Sequence, residues 1–220
     1  MNPGARTLIV AAAPAADAAA FYATLITGAP YVIAVDAGVA LCLAAGRNPD
    51  VCIGDFDSAE PGDLDLARSS GSVVITYPAE KDESDLALAL AHARGAGLGP
   101  VTVTAAFSGR VDHTLAALGA LLAAADLPAV GMEPDAVYHV LDARVRPELR
   151  LDLPVGTTLS AFAADPQTVV TIEGVRYPLA ATLLEPWTSR GLSNLATSDV
   201  QTIRLHEGRL LVIVDLLDRK

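Results

Sequence analysis

Lysine is nearly absent from this sequence of 220 residues, in which Lys81 and Lys220 are the only two. A Walker A loop needs a Gly-Lys-Ser/Thr sequence to bind phosphate groups, and neither lysine has such neighbours, which excludes that loop. Any lysine that assists at a phosphate group must therefore be Lys81. The net charge of −11 also argues against a nucleic-acid partner, because contacts with backbone phosphates need clustered Lys and Arg.

Cysteines and long apolar runs are scarce as well. Cys42 and Cys52 lie among apolar residues, so we expect buried, reduced thiols rather than a disulfide or a metal site. The sequence has no cysteine cluster and no pair of histidines four residues apart, which disfavours zinc. No apolar run reaches the roughly 18–20 residues of a membrane span. The segment from Arg6 to Ala11 resembles a weak signal peptide, but Asp17 interrupts it, and we expect a cytoplasmic protein.

Apolar residues make up 52% of the chain and aromatic residues only 5%, which indicates a core of Ala, Val and Leu. In the first half, β-prone runs alternate with helical segments, and this alternation predicts a parallel sheet with crossover helices. The predicted strands span Thr7 to Ala13, Tyr31 to Val35, Val51 to Ile53, Val73 to Tyr77 and Val101 to Phe107. The longest predicted helix, Asp112 to Ala125, follows the last of them.

Past Pro128 the segments become short and β-prone, and turn residues separate them. Glu207-Gly208 lies between two such segments and is typical of a hairpin turn. We therefore expect an α/β fold, with a Rossmann-like parallel-sheet domain over residues 1–132 and an antiparallel β-sandwich over residues 133–220. The β-prone segments are Tyr138 to Arg150, Thr157 to Ala163, Val169 to Glu173, Ala181 to Leu184, Val200 to His206 and Arg209 to Val214.

The stretch Val51 to Ser58 combines an apolar run with two acids. The run ends at Gly54, and Asp55 and Asp57 follow it with one residue between them. In extended chain, carboxylates spaced i, i+2 point the same way, and they repel each other unless a cation lies between them. Hard oxygen ligands favour Mg²⁺. The alternative is a polar strand end whose acids lead into the next helix.

Acidic or phosphate-binding side chains follow four consecutive predicted strands. Because the carboxyl ends of parallel strands share one edge of a sheet, we expect these side chains to converge. Carboxylates together with Lys81 and Arg110 fit metal-assisted transfer of a phosphoryl-type group. The four groups are Asp36 with Gly38, Asp55 with Asp57, Glu80 to Asp85, and Ser108 to His113.

Each of these groups also has a purely structural interpretation. Asp82 could be the N-cap of the helix that follows it, with Asp85 in the first turn. Asp112 could likewise cap the longest helix, while Arg110 could be a solvated loop charge and His113 a surface imidazole.

These motifs, taken in order, resemble the thiamine pyrophosphokinase family. The family pattern has an Asp-Gly-Gly-Ala turn, Gly-Asp-Phe-Asp-Ser, Asp-Lys-Asp-x-Thr-Asp, Gly-Gly-Arg-x-Asp-His and a Ser-Asn pair near the C-terminus. The counterparts here are Asp36 to Val39, Gly54 to Ser58, Glu80 to Asp85, Ser108 to His113 and Gly191 to Asn194, with Glu173 to Leu179 similar to the strand before the last pair. They cover nearly the whole chain in the family's order.

The resemblance implies an enzyme that moves a pyrophosphoryl group from Mg·ATP to the hydroxyl of thiamine and releases AMP. It implies a catalytic, nucleotide-binding first domain, a thiamine-binding and dimerising second domain, and a homodimer with composite active sites. The implied Mg²⁺ ligands are Asp55, Asp57 and Asp85, which with Arg110 and Asp112 form the implied catalytic set. The residues implied to bind the nucleotide or border the substrate are Asp36, Gly38, Lys81, Asp82 and His113. Ser193 and Asn194 are implied to form the thiamine pocket.

Trp187, the only tryptophan, precedes Gly191 by a few residues. We expect it either at the thiamine pocket, where the cationic thiazolium could lie against its ring, or as a core or interface aromatic.

The chain departs from the family pattern at Ala37, Val39 and Ser108. Ala37 replaces a glycine of the first turn, which affects the close approach of backbone to phosphate there. Two alternatives to thiamine pyrophosphokinase are a pyrophosphokinase for another alcohol, such as a hydroxymethylpterin, and a non-catalytic thiamine or nucleotide sensor. A pure binder has little need for several mutually repelling carboxylates, which argues against the sensor.

Overall fold

The computed structural model describes residues 7–217, which form two compact units divided between Pro134 and Asp135. The predicted boundary, between residues 132 and 133, lies two residues earlier. Arg6 and Lys220 lie outside the described residues. None of the helices within residues 7–217 is long and apolar enough to cross a membrane.

Within residues 7–134, the first unit alternates six parallel strands with five helices. The strand order is β6-β5-β1-β2-β3-β4, so the order reverses between β1 and β5. The elements are β1 Thr7–Val10, α1 Ala19–Gly28, β2 Tyr31–Val35, α2 Gly38–Ala44, β3 Val51–Gly54, α3 Pro61–Ser69, β4 Val73–Thr76, α4 Asp85–Gly95, β5 Val101–Thr104, α5 Val111–Ala123 and β6 Ala129–Met132.

The inner strands are mostly apolar because helices cover both faces of a parallel sheet. Every residue of β1, β3, β5 and β6 is buried, whereas the edge strand β4 is partly exposed. Cys42 and Cys52 lie in this core as free, buried thiols, as the sequence predicted. Burial raises the pKa of Cys42 to about 12, so this thiol is not a nucleophile at neutral pH.

Several strand bounds of the first unit differ from the sequence prediction. The predicted first strand, Thr7 to Ala13, ends at Val10. The predicted last strand, Val101 to Phe107, ends at Thr104, because Ala105 has a left-handed backbone (φ 54°). Strand β6 was not predicted. Its four residues begin directly after Pro128, where the sequence pattern changes from alternating strands and helices to short β-prone segments.

Within residues 135–217, the second unit consists of two antiparallel sheets around one apolar core. The first has the order β12-β9-β14-β7 and the second β11-β10-β13-β8. The strands are β7 Ala136–Asp142, β8 Glu148–Leu151, β9 Thr158–Ala163, β10 Val169–Glu173, β11 Leu179–Leu183, β12 Asn194–Leu195, β13 Gln201–Glu207 and β14 Arg209–Asp215.

The predicted hairpin at Glu207-Gly208 is wrong. β13 pairs with β8 and β10, whereas β14 pairs with β7 and β9, so the chain crosses from one sheet to the other at Gly208. A hairpin and a corner between two packed sheets have the same alternating pattern and the same turn residues. The predicted segment Tyr138 to Arg150 is likewise two strands, interrupted after Asp142.

Candidate active site

Three carboxylates from separate elements meet at the carboxyl ends of the central strands of the first unit. Asp36 follows β2, Asp55 follows β3, and Asp85 lies in the first turn of α4. One carboxylate oxygen from each lies within 4.8 Å of the others. We call these three residues the acidic cluster.

The backbone around the acidic cluster has an unusual local conformation. Asp36 (φ 48°) and Phe56 (φ 61°) are both in the left-handed conformation, which non-glycine residues adopt rarely. The Phe56 N–H donates to Asp36 Oδ1 at 3.3 Å and fixes that carboxylate. A Cβ at Gly54 (φ 157°) would overlap Asp36 Oδ1, so a glycine at the end of β3 lets Asp36 approach.

Lys81 is the cation of the acidic cluster. Its Nζ lies 3.0 Å from Asp55 Oδ2 and 3.1 Å from Asp85 Oδ1, and it donates to the carbonyl oxygen of Pro78. Although desolvation opposes it, hydrogen bonding to the two carboxylates raises the pKa of Lys81. The N–H of Asp57 and the Lys81 ammonium together lower the pKa of Asp55. Lys81 therefore remains charged at neutral pH.

One lysine does not balance three carboxylates. Burial first, and then the charge of Asp85, raises the pKa of Asp36 to about 7. Asp85 Oδ1 is buried and lies 3.1 Å from the Lys81 ammonium, which Asp85 shares with Asp55. Three carboxylates gathered around a single ammonium fit a divalent cation that prefers oxygen ligands, such as Mg²⁺.

Asp57 does not belong to the acidic cluster. It is exposed, and its backbone N–H donates to Asp55 Oδ1 at 3.1 Å. Asp36, for which the resemblance implied a nucleotide-binding role, takes the third place instead. A role for Asp57 as a metal ligand stays a prediction.

Gly38 has a packing role that the structure makes plain. It begins α2, and a Cβ there would overlap the carbonyl oxygen of Val10 and lie 2.9 Å from that of Ala11. The glycine therefore lets the start of α2 pack directly on the end of β1.

Arg110, Asp112 and His113 lie together at the start of α5. Arg110 Nη2 lies 2.6 Å from Asp112 Oδ2, and both side chains are mostly exposed. Hydrogen bonding to Arg110 lowers the pKa of Asp112 to about 2. The His113 N–H donates to Asp112 Oδ1, and its side chain is exposed. No described contact joins these residues to the acidic cluster, so their roles toward phosphate stay predictions.

The start of α4 is capped by Ser84 and not by Asp82. The Ser84 hydroxyl oxygen accepts the N–H of Ala87 at 3.3 Å, while Asp82 is exposed. Asp82 therefore does not cap α4, which was the alternative interpretation of this residue.

In the second unit, Asn194 is buried and its amide is engaged with backbone. Asn194 Oδ1 accepts the N–H groups of Tyr177 and Leu195, and its Nδ2 donates to the carbonyl oxygen of Tyr177. Ser193 is exposed and left-handed (φ 53°), and its N–H donates to Ser160 Oγ. Asn194 thus shapes the local backbone, and a direct contact of either residue with thiamine stays a prediction.

Trp187 is 89% exposed and left-handed (φ 62°) within the second unit. Such exposure excludes the interior of that unit as its place. A contact of Trp187 with thiamine and a place at an interface both stay predictions.

One buried acid of the first unit, Glu133, was not predicted from the sequence. It is 1% exposed and directly follows the apolar run of β6. The same rule that singled out Asp55, an acid at the end of an apolar strand, would have found it had β6 been predicted.

Comparisons with known proteins place this architecture in a family. Residues 22–130 match the family model for the catalytic domain of thiamin pyrophosphokinase. A comparison with curated proteins by sequence finds no match.

Solved thiamin pyrophosphokinases share the fold. The enzyme from Geobacillus thermodenitrificans is 25% identical, with a TM-score of 0.78 over 97% of this chain and 98% of that one. The Bacillus subtilis enzyme is 22% identical, with a TM-score of 0.77 over 95% and 98% of the two chains. The yeast enzyme is 13% identical, with a TM-score of 0.74 over 96% and 86%.

Proposed function

Because this chain belongs to the thiamine pyrophosphokinase family, we propose that its acidic cluster is the centre at which a pyrophosphoryl group passes from ATP to thiamine. The chain is accordingly an enzyme, a thiamine diphosphokinase. The observation that carries the site assignment is the meeting of Asp36, Asp55 and Asp85 within the matched region.

We propose that these three carboxylates hold Mg²⁺, the ion that their oxygen atoms and mutual repulsion fit. When bound, Mg²⁺ neutralises phosphate charge and orients the phosphate groups. Lys81, already held by two of the acids, adds positive charge at the same place. Arg110, in the loop after β5, has the planar fork that binds phosphate oxygens in pairs.

The nucleotide is proposed to lie at the carboxyl ends of β1 and β5, where the strand order reverses. Open α/β sheets bind ligands in the crevice at such a point, and this order is the basis for a Rossmann-like description of the first unit. The thiamine hydroxyl oxygen would form a bond to the β-phosphorus while the bond from that phosphorus to the α-phosphate oxygen breaks. AMP leaves, and a base takes the hydroxyl proton.

Thiamine is proposed to bind through the second unit, whose two sheets around one core support the description as a β-sandwich. Following the family resemblance, we propose a homodimer in which each active site combines residues of two chains. Sedimentation velocity should give the mass of a dimer, and an active monomer would contradict this. Because ATP and thiamine diphosphate are used inside cells, a cytoplasmic location is part of the proposal, and fractionation of the producing cells would check it.

Product analysis tests the reaction. Purified protein with Mg·ATP and thiamine should form AMP and thiamine diphosphate in equal amounts, and EDTA should abolish both. Formation of ADP would indicate an ordinary kinase instead. AMP formed only with a hydroxymethylpterin would indicate another pyrophosphokinase, and no turnover with tight thiamine binding would indicate a sensor.

A further inference from the structure

Glu133 has a carboxylate buried at the β1/β5 crevice, away from the acidic cluster. Glu133 Oε1 accepts the N–H groups of Ala106 and Phe107 at 2.9 and 3.4 Å. Its Oε2 accepts the Tyr22 hydroxyl at 2.6 Å. Burying a carboxylate is unfavourable unless hydrogen bonds compensate for its lost hydration. An apolar side chain here would leave the N–H groups of Ala106 and Phe107 and the Tyr22 hydroxyl without this acceptor, so the acid is matched to these three donors.

The hydrogen bonds of Glu133 join two loops. Ala106 and Phe107 belong to the β5 loop (residues 105–110), which leads to Arg110. The Tyr22 hydroxyl accepts the N–H of Ala15, in the β1 loop (residues 11–18), at 2.7 Å. One carboxylate therefore fixes the β5 loop directly and the β1 loop through a single hydroxyl.

These two loops flank the point at which the strand order reverses, and their backbones touch. The Ala13 N–H donates to the carbonyl oxygen of Ala105 at 2.7 Å. The Phe107 carbonyl oxygen accepts the Thr114 hydroxyl at 3.3 Å, so the β5 loop is also tied to α5. A change at Glu133 would thus move the backbone that lines the crevice while the strands keep their pairing.

We propose that Glu133, acting with Tyr22, is a positioning residue that sets the separation of the β1 and β5 loops for the nucleotide. Glu133 acts through the backbone of Ala106, Phe107 and Ala15 and touches no reacting atom. This inference rests on the proposed function, because it takes ATP as the ligand of that crevice. It assigns a nucleotide-specific effect to a residue outside the acidic cluster.

The test uses binding of α,β-methylene ATP, in which the reacting bridge cannot be broken, measured by calorimetry with the full chain. Glu133→Gln keeps the shape of the side chain but presents an N–H₂ group where the Tyr22 hydroxyl donates. Tyr22→Phe removes that hydroxyl and leaves the hydrogen bonds of Glu133 with Ala106 and Phe107 in place. Each should weaken binding, with the Kd of Glu133→Gln rising about tenfold. The KM for thiamine should change less than about twofold, since only loop spacing at the nucleotide is altered. Both changes break the same hydrogen bond, between Tyr22 and Glu133. The double variant should therefore bind the analogue at most about twofold more weakly than Glu133→Gln.

Glu148→Gln is the matched control, since Glu148 is an exposed acid paired with Arg204 in the second unit. It should bind the analogue like wild type. A lower melting temperature with unchanged analogue binding in both Glu133→Gln and Tyr22→Phe would overturn the inference and leave the proposed function standing. If Glu133→Gln does not fold, Tyr22→Phe alone decides, and wild-type affinity there would overturn it. Wild-type protein that neither binds the analogue nor forms AMP would reject the proposed function and this inference with it.

Discussion

The acidic cluster of the first unit and the arginine-paired acids of the second lie in opposite electrostatic environments. In the acidic cluster, Lys81 contacts two of the three acids, and burial with the charge of Asp85 raises the pKa of Asp36 to about 7. In the second unit, Asp142 has its own arginine, Arg144, with contacts of 3.0 and 2.7 Å, and that pairing lowers its pKa to about 2.

Asp165, like Asp142, is paired with its own arginine. Arg209 contacts its two carboxylate oxygens at 3.0 and 2.7 Å, and this hydrogen bonding lowers the pKa of Asp165. An acid paired in this way stabilises its own surroundings. Acids that repel one another reduce stability, and such an arrangement is characteristic of a site that binds a cation. The difference separates the acidic cluster from Asp142 and Asp165, whose arginines stabilise the second unit.

The largest effect expected from this difference is on activity. Asp85→Asn removes one charge from the acidic cluster while keeping the size of the side chain, so kcat/KM should fall at least about 1,000-fold, or roughly 4 kcal/mol. Steady-state AMP formation measures it. Asp65→Asn, at an exposed acid of α3 paired with Arg68, is the control and should retain wild-type activity. Activity of Asp85→Asn within threefold of wild type would remove Asp85 from the metal site.

The second unit should show the converse, a loss of stability without a loss of activity. Asp142→Asn should lower the free energy of unfolding by about 1 kcal/mol, because a charged hydrogen-bonded pair becomes neutral and Arg144 is itself largely exposed. For a chain of this size that corresponds to roughly 2–4 °C in melting temperature.

The pH dependence of Asp142→Asn follows from the lowered pKa. The unfolded acid titrates near pH 4 and the folded one near 2, so the stabilisation is complete above about pH 4 and disappears as the pH falls to about 2. The difference in melting temperature between wild type and variant should shrink over that range. A difference that is constant with pH would show that the pair with Arg144 does not stabilise the charged form.

The last expected effect is of similar size and has the opposite sign. In EDTA at pH 8, Asp36→Asn should raise the melting temperature by roughly 2–4 °C, because it removes a charge that burial and the repulsion of Asp85 both disfavour. Partial solvent exposure of the site keeps the gain near 1 kcal/mol. A folded-state pKa of about 7 lies above the unfolded value, so wild type loses stability as the pH rises from about 4 to 7, and the gain of the variant should vanish below about pH 4.

With Mg²⁺ present, wild type should melt at a higher temperature than Asp36→Asn, the reverse of the order expected in EDTA. The cation stabilises wild type by binding the folded state, and the loss of one carboxylate weakens that binding in Asp36→Asn. Thermal melting with increasing Mg²⁺ would show this. If Mg²⁺ raises the melting temperature of Asp36→Asn as much as that of wild type, Asp36 is not a ligand of the cation.

The sequence by itself determined the alternation of strands and helices in the first unit and the presence of acids where those strands end. Both are local properties: a buried parallel strand needs a continuous apolar run, and a polar residue marks its exit. Asp36, Asp55 and Asp85 could therefore be predicted to lie at one edge of the sheet, and the structure places them there.

Which side chains meet was decided only by the tertiary structure. The pairing of Asp55 with Asp57 assumed extended chain, but the left-handed backbone at Phe56 breaks the i, i+2 alternation, and Asp36 enters from the neighbouring strand. Likewise, the pattern around Gly208 could not distinguish a hairpin from a crossing between sheets. Contacts such as that of Glu133 with Tyr22 join residues 111 positions apart, and no local pattern encodes a distance of that kind.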